Sequence, residues 1–274
     1  KDEGLGEKVV LRADGTSLYI TQDLYLAKKK FEDYKNLNES IYVTANEQDY
    51  QFKVLFKILG KLKFPFAHKL KHVSYGLVNL PEGRMKSREG TVVDADDLIQ
   101  QIQELAKENL AEKEELSKKE IERRSLLISL AAIKYFLLKV DKSKNMIFNP
   151  KESINMEGDT GPYLLYSYAR ANSILRKKKM KNNFKIEDLS EKEIQLVKKL
   201  SEFPEIVLNA YKNLNPSLIA NYSYDLSQKF NEFYHSDKVI GSENENFRLA
   251  LVESFKITLK NSLNLLGIET IERM

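Results

Sequence analysis

Pro81-Glu-Gly-Arg-Met-Lys-Ser-Arg-Glu-Gly-Thr-Val-Val-Asp94 is the stretch on which the fold turns. Before it the chain alternates strand and helix patterns, and after it helix follows helix. Arg84, Lys86 and Arg88 take alternate positions between Gly83 and Gly90. The glycines permit hinge conformations and the cations neutralise phosphate oxygens, so the loop suits a polyanion that is gripped and then released. A solvated turn has the same composition, and the loop alone does not decide between the two readings.

Upstream of the loop, Val9–Ile20 reads as a hairpin, with Asp14-Gly15 supplying the positive-φ turn between two apolar arms. Thr21 is placed to cap a helix through about Asn36, whose apolar positions Leu24, Ala27 and Phe31 recur at helical spacing. Ile41–Thr44 is a short buried strand, Gln48–Leu59 a helix with Phe52, Leu55, Phe56 and Leu59 as its apolar face, and His72–Val78 the next strand. Strand, helix and strand with connections of this length imply a parallel sheet, where ligands collect at the carboxyl ends of the strands. So small a piece of sheet is expected to belong to a larger architecture.

Downstream, Asp94 or Ala95 starts a helix with Asp96 and Asp97 in its first turn, where the helix dipole favours acids. A break near Ser117 precedes a helix over Ile121–Val140 with a stripe of Leu126, Leu127, Leu130, Ile133, Phe136 and Leu137. Asp159-Thr-Gly-Pro-Tyr163 opens another helix, with Pro162 tolerated in its first turn. Ser190-Glu-Lys-Glu193 has the spacing of a capping box for a helix to about Phe203. Two amphipathic helices follow, near 216–235 and 243–266.

With 274 residues, of which 42% are apolar and 31% charged, the chain can build two cores and remain soluble. It has no apolar run near the ~20 residues of a membrane span and no signal-peptide pattern at its start, so a cytoplasmic protein is expected. Having no cysteine, it forms no disulfide and no thiolate metal site, and three scattered histidines argue against zinc. The net charge of +4 does not by itself announce nucleic acid. Its placement says more: residues 1–110 hold equal numbers of acids and bases, whereas Arg170, Arg176, Lys177, Lys178, Lys179, Lys181 and Lys185 run without an intervening acid.

Three constellations could carry chemistry. Tyr19 and Asp23, at a strand-to-helix junction, join Gln48 and Asp49 at the next helix start: they could hold a cationic ligand group by charge-assisted hydrogen bonds or simply cap helices. The cationic loop is the second. Tyr163, Tyr166 and Arg170 lie at i, i+3 and i+7 on one helix face ahead of the basic run, and either stack unpaired bases or form a tyrosine-rich core face.

Four segments together resemble the arginyl-tRNA synthetase family: Arg12–Asp23, His72–Val78, Arg84-Met-Lys-Ser-Arg-Glu-Gly-Thr-Val-Val93, and Glu157-Gly-Asp-Thr-Gly-Pro-Tyr-Leu-Leu-Tyr-Ser-Tyr-Ala-Arg170. The terminal Leu265–Met274 is similar to that family's C-terminus, so the resemblance runs through the chain in order. It implies an α/β remnant of a class I Rossmann-like catalytic domain over 1–110, with its signature loop at 83–90, followed by an all-α helical-bundle anticodon-binding domain over 111–274. It implies ATP, with magnesium, as a substrate, arginine and the arginine tRNA as partners, and no membrane. Tyr19, Asp23 and Gln48 fall on arginine-pocket positions, and Arg84, Lys86, Ser87 and Arg88 on the second class I signature. Tyr163, Tyr166 and Arg170 fall on the anticodon-facing helix, and Tyr234 and Met274 on further positions near the anticodon. Lys177, Lys178 and Lys179 are then phosphate contacts for the tRNA.

Two departures stand out. The class I loop is ideally Lys-Met-Ser-Lys-Ser, whereas this chain has Arg84-Met-Lys-Ser-Arg88, so which cation meets the phosphates is open. The first signature, His-Ile-Gly-His, is absent from the sequence: His68, His72 and His235 have no such neighbours. The chain is therefore expected to be the C-terminal part of an arginine–tRNA ligase, needing a missing N-terminal part for catalysis and retaining anticodon binding. A noncatalytic RNA-binding protein derived from the anticodon domain is the alternative.

Overall fold

The computed structural model describes residues 4–79, 81, 94–111, 116–181, 186 and 188–274. They form two compact units, one comprising the chain up to Leu77 with Ser143–Asn145, the other Val78–Lys142 with Met146–Met274.

In the first unit, Asp14 Oδ1 accepts hydrogen bonds from the Thr16 N–H (2.9 Å) and hydroxyl (2.7 Å), closing a turn with Gly15 at φ 81°. The expected hairpin shrinks to one antiparallel bridge, Leu11 to Ser17, because its second arm becomes helix α1 (Tyr19–Asp33). Thr21 is not the cap but lies inside the first turn. From there its hydroxyl accepts from the Leu18 N–H (3.3 Å) and donates to the Val10 carbonyl, fastening the helix start to the preceding arm. Strand β1 (Ser40–Ala45), helix α2 (Asp49–Lys61) and strand β2 (Leu70–Tyr75) follow, and the strands pair in parallel from Ser40 opposite Leu70 to Ala45 opposite Tyr75. Ile20, Ala27, Phe52, Leu55, Leu59, Phe66 and Leu70 fill the core. Phe31 stacks on Phe66 with ring centroids 4.5 Å apart.

The expected strand over His72–Val78 is broken at Gly76. A Cβ there would sit 2.0 Å from the Lys144 carbonyl oxygen, so only glycine admits that approach. The Leu77 N–H turns to Asn145 Oδ1 (2.7 Å), and the chain resumes in the second unit as β3 (Val78–Asn79), parallel to a strand introduced below.

The second unit is helical. Helix α3 (Ala95–Ala111) packs on α4 (Lys118–Lys139), whose Ser117 cap accepts from the Glu120 N–H. Then come β4 (Met146–Ile147), the partner of β3, and the short α5 (Pro150–Ser153). The rest is α6 (Gly161–Lys177), α7 (Glu191–Ser201), α8 (Phe203–Asn213), α9 (Ser217–Ser236) and α10 (Glu245–Leu265). Thr160 caps α6, and Ser190 with Glu193 forms the expected capping box on α7. Helix α9 touches α4, α6, α7, α8 and α10 and forms the centre of the bundle. Phe230 on α9 stacks on Phe255 on α10 with centroids 3.8 Å apart.

Two sequence expectations are corrected here. The buried face of α4 is Ser125, Ile128, Ser129, Ala131, Ala132 and Tyr135, while Leu126 is exposed. Small residues line that face because α6 comes close: a Cβ on Gly161 would lie 2.2 Å from the Ala131 carbonyl oxygen. Helix α8 was not anticipated. Pro204 in its first turn starts a second helix just past α7, and Leu214 in the left-handed region (φ 48°) ends it.

Candidate nucleic-acid interface

Within the first unit, Tyr19 opens α1 with 80% of its surface exposed, and Asp23 lies one turn further on. The Asp23 carboxylate accepts from Gln51 Nε2 at 2.7 Å, so the bond joining α1 to α2 runs to Gln51. Gln48, immediately before α2, is exposed and makes no side-chain cap bond. Gln51 was passed over in the sequence, although it sits three residues from Gln48 on the same helical face. Beside them Asp49 Oδ1 is buried without a hydrogen bond, 3.8 Å from His72 Nδ1. His72 Nε2 lies 2.8 Å from Thr44 Oγ1 and its ring stacks on Phe52 at 4.5 Å. Burial lowers the His72 pKa, which the Asp49 carboxylate partly offsets. Arg84, Lys86, Ser87 and Arg88 lie outside the described residues. Among the described residues no group of three or more His, Asp or Glu side chains is gathered as a metal site would require.

The second unit holds a cavity of about 710 Å³ lined by Asn109, Leu110, Tyr163, Tyr166, Arg170, Asn231, His235 and Met274 among others. A second hollow of about 400 Å³ shares Tyr166, Arg170 and Met274 with it and adds Arg176, Lys177, Tyr234 and Arg273. Together they bring all five aromatic, arginine and methionine positions expected near an anticodon onto one surface.

Helical spacing puts Tyr163, Tyr166 and Arg170 on one face of α6, and packing fixes them differently. Tyr163 is half-buried against Tyr224, and its hydroxyl accepts from Asn231 Nδ2 at 2.8 Å. Asn231 Nδ2 also donates to Ser167 Oγ (3.1 Å), and Asn231 Oδ1 accepts from Arg170 Nη1 (2.6 Å). The Arg170 guanidinium therefore has a fixed anchor. It lies 4.7 Å from the Tyr166 ring centroid and 5.1 Å from that of Tyr234, and Nη2 donates to the Tyr166 hydroxyl at 3.2 Å. Tyr166 and Tyr234 remain 39% and 38% exposed, so rings held by a cation still face solvent. Such a surface can stack unpaired bases and meet a phosphate or a base edge with its remaining guanidinium donors.

Lys177 ends α6 beside this surface, and Lys178 and Lys179 follow it, all exposed. Lys178 pairs with Glu245 at 3.0 Å, so the run that looks purely basic in sequence meets an acid from α10. A hydrogen bond from the Gly241 N–H, then Lys178, holds the Glu245 carboxyl below the usual carboxylate range. Asn109, Glu157, Asn231, His235 and Arg273 also line the two hollows and escaped the sequence reading. Glu157 and Arg273 stand within the segments that carry the resemblance, and Asn231 and His235 stand beside Tyr234 on a helix already expected there.

Comparison with known proteins draws a boundary between residues 150 and 164, inside the second compact unit. A family model described as "tRNA synthetases class I (R), catalytic domain" matches residues 2–150, and one described as "DALR anticodon binding domain" matches residues 164–274. The arginine–tRNA ligase of Parabacteroides distasonis is 48% identical over 99% of this chain and 47% of its own length, and that of Phocaeicola vulgatus is 49% identical over the same shares. The chain thus spans about half the length of these curated relatives. Among solved structures, Thermus thermophilus arginyl-tRNA synthetase superposes with a TM-score of 0.86 at 26% identity, covering 97% of this chain and 51% of that one. The Plasmodium falciparum enzyme gives 0.79 at 30% identity, covering 98% and 47%. Among the described residues no helix is long and apolar enough to cross a membrane.

Proposed function

The chain belongs to the arginyl-tRNA synthetase family, and on that premise we propose that its helical unit takes the anticodon loop of an arginine tRNA onto the surface of Tyr163, Tyr166, Arg170, Tyr234 and Met274. The observation that carries this reading is the Arg170 guanidinium held between two half-open phenol rings and anchored on Asn231. Rings fixed before binding lose little freedom when bases stack on them, which favours an exposed loop over a duplex. Lys177 and Lys179 extend the surface with cations that engage phosphates without reading sequence.

For the residues up to about 110 we propose service to arginine and ATP in a full-length ligase. There the carboxylate of Asp23 receives the substrate guanidinium, Tyr19 fixes its plane and Gln48 contributes from the start of α2. Gln51, by donating to Asp23, keeps the carboxylate turned toward α2. ATP arrives with its magnesium as substrate, and Arg84, Lys86, Ser87 and Arg88 are assigned to its phosphates. The overall reaction forms arginyl-adenylate with release of pyrophosphate, and the terminal ribose hydroxyl of the tRNA then attacks the acyl carbon and releases AMP. Catalysis of this kind rests on orientation and charge stabilisation. We place the boundary between the two roles near residue 110.

Fluorescence anisotropy with an arginine anticodon stem-loop and an unrelated stem-loop tests the first proposal directly. A clear preference for the arginine loop supports it, and equal binding of both returns the tyrosines to core packing. ATP–pyrophosphate exchange with arginine and tRNA present tests the second. The 274 residues contain no His-Ile-Gly-His signature, and losing one preorganised stabiliser alone costs about a hundredfold or more. Exchange is therefore expected only when the N-terminal part of the ligase is supplied.

A further inference from the structure

The segment after α10 lines the proposed anticodon surface with its last residues, Arg273 and Met274. A segment outside regular secondary structure is poorly ordered unless something ties it down. Here Leu266, Ile268 and Ile271 are buried, and at Glu272 a polar clamp takes over. Asn172, on α6 and 4% exposed, donates from Nδ2 to the Glu272 backbone carbonyl (3.0 Å) and to its carboxylate. The Tyr168 hydroxyl donates to the other carboxylate oxygen at 3.4 Å. Lys256 on α10 donates to Asn172 Oδ1 at 2.5 Å, which turns the amide so that its nitrogen faces the tail.

We propose that Asn172 is a positioning residue for anticodon discrimination: by clamping Glu272 to α6 it holds Arg273 and Met274 against Arg170 and Tyr166, without itself meeting RNA. This rests on the anticodon reading given above. Geometry supports it, because Asn172 is two residues from Arg170 along α6 and points to the other side of the helix, into the tail. Nothing in the sequence marks it. It is a buried amide in the middle of a helix, where asparagine is a poor helix former and needs partners to be kept. Its partners are Lys256 on α10 and Glu272 in the tail, and it stands on α6 itself, so the same side chain that fastens the tail also registers it against the helix carrying the stacking rings.

The test uses the whole chain and a near-isosteric change. Asn172→Asp keeps the acceptor for Lys256 but replaces the donor to Glu272 with a second carboxylate. We expect binding of the arginine stem-loop to weaken about tenfold, as for loss of one base contact, while the control loop and the salt dependence stay unchanged. Amide hydrogen exchange over 268–274 should accelerate in this variant. The double change Asn172→Asp with Glu272→Gln reverses donor and acceptor in the side-chain bond but not at the backbone carbonyl, and is expected to restore protection and preference in part. A wild-type chain that prefers neither loop defeats the anticodon reading and this inference with it. A wild-type preference that survives in Asn172→Asp while the tail exchanges faster overturns the inference alone, as does a tail whose protection is unaltered. If Asn172→Asp does not fold, Asn172→Ala removes both donors to Glu272 without adding a charge: lost preference supports the clamp and kept preference overturns it.

Discussion

Arg170 and Asn231, 61 positions apart, are joined by a 2.6 Å hydrogen bond that fixes α6 to α9 at the floor of the groove. The Asn231 amide is fully used, accepting from Arg170 and donating to Tyr163 and Ser167. Asn231→Leu would leave those groups without it at a site only 9% exposed. Each buried polar group stranded in this way costs about 1–3 kcal/mol. We expect a lower melting temperature by calorimetry and a smaller difference between the arginine and control stem-loops by anisotropy. A folded variant that kept the full preference would show that Arg170 needs no anchor.

The three lysines at the end of α6 should not behave alike. Replacing Lys177, Lys178 and Lys179 together should weaken every RNA similarly and flatten the salt dependence, with Lys177→Ala or Lys179→Ala each lowering the salt slope by about one unit. Lys178 is already paired with Glu245, so its removal should release fewer counterions and change the slope less. Titrations of one stem-loop at several salt concentrations separate the three. Equal slopes for the single variants would mean that the pair with Glu245 gives way when RNA binds.

How far the sequence reached can be judged from these same residues. Period and caps located α2, α6, α7, α9 and α10 within a few residues, because Thr160, Ser190 and Pro162 mark helix starts chemically. Tyr166 and Arg170 share a surface with Tyr234 and Met274. What stayed hidden depends on elements far apart in sequence. Glu245 neutralising Lys178, Gln51 reaching Asp23, and Asn172 holding Glu272 have no local signal, since each pairing is set by how helices cross. The face of α4 was legible only in part for a related reason: Leu127, Ile133 and Phe136 do pack against the core, but leucines dominate a hydrophobic pattern, whereas close helix contact favours alanine and glycine.

Gly161 offers a direct check of that contact. A Cβ would stand 2.2 Å from the Ala131 carbonyl oxygen, backbone that cannot rotate away. Gly161→Ala should therefore force α6 off α4 and destabilise the helical unit by about 1–3 kcal/mol, the usual cost of overpacking, despite alanine's better helix propensity. Urea denaturation followed by circular dichroism measures it. A variant as stable as the parent would mean that the two helices can separate freely.

The first unit should weaken as it is acidified. His72 has its pKa lowered from 6.5, chiefly by burial, so the folded state favours the neutral ring more than the unfolded chain does. A depressed folded value means that the unfolded chain binds the extra proton first. The contribution is full above pH 6.5 and is lost as the pH falls below it. Hydrogen exchange of β1 and β2 between pH 7 and 5 should show falling protection in the parent and a flatter profile in His72→Gln. Identical profiles would remove His72 as the cause.

Asp23→Asn tests the proposed arginine pocket where it can act, in the ligase with its N-terminal part present. Asparagine keeps an oxygen for the Gln51 amide, so the bond that joins α1 to α2 survives and folding is preserved. What is lost is the negative charge that the substrate guanidinium would meet. Removing one partner of a desolvated charge pair costs about 2–5 kcal/mol, because the other charge is left buried without it. The Michaelis constant for arginine should rise steeply while that for ATP changes little. Gln51→Leu provides the graded case: the carboxylate keeps its charge but loses the donor that orients it, so the constant for arginine should rise less. Pyrophosphate exchange at varied arginine and varied ATP yields both constants for each variant. If Asp23→Asn raised the two constants equally, Asp23 would be a residue that only ties helices together, and the guanidinium would have to find its carboxylate elsewhere.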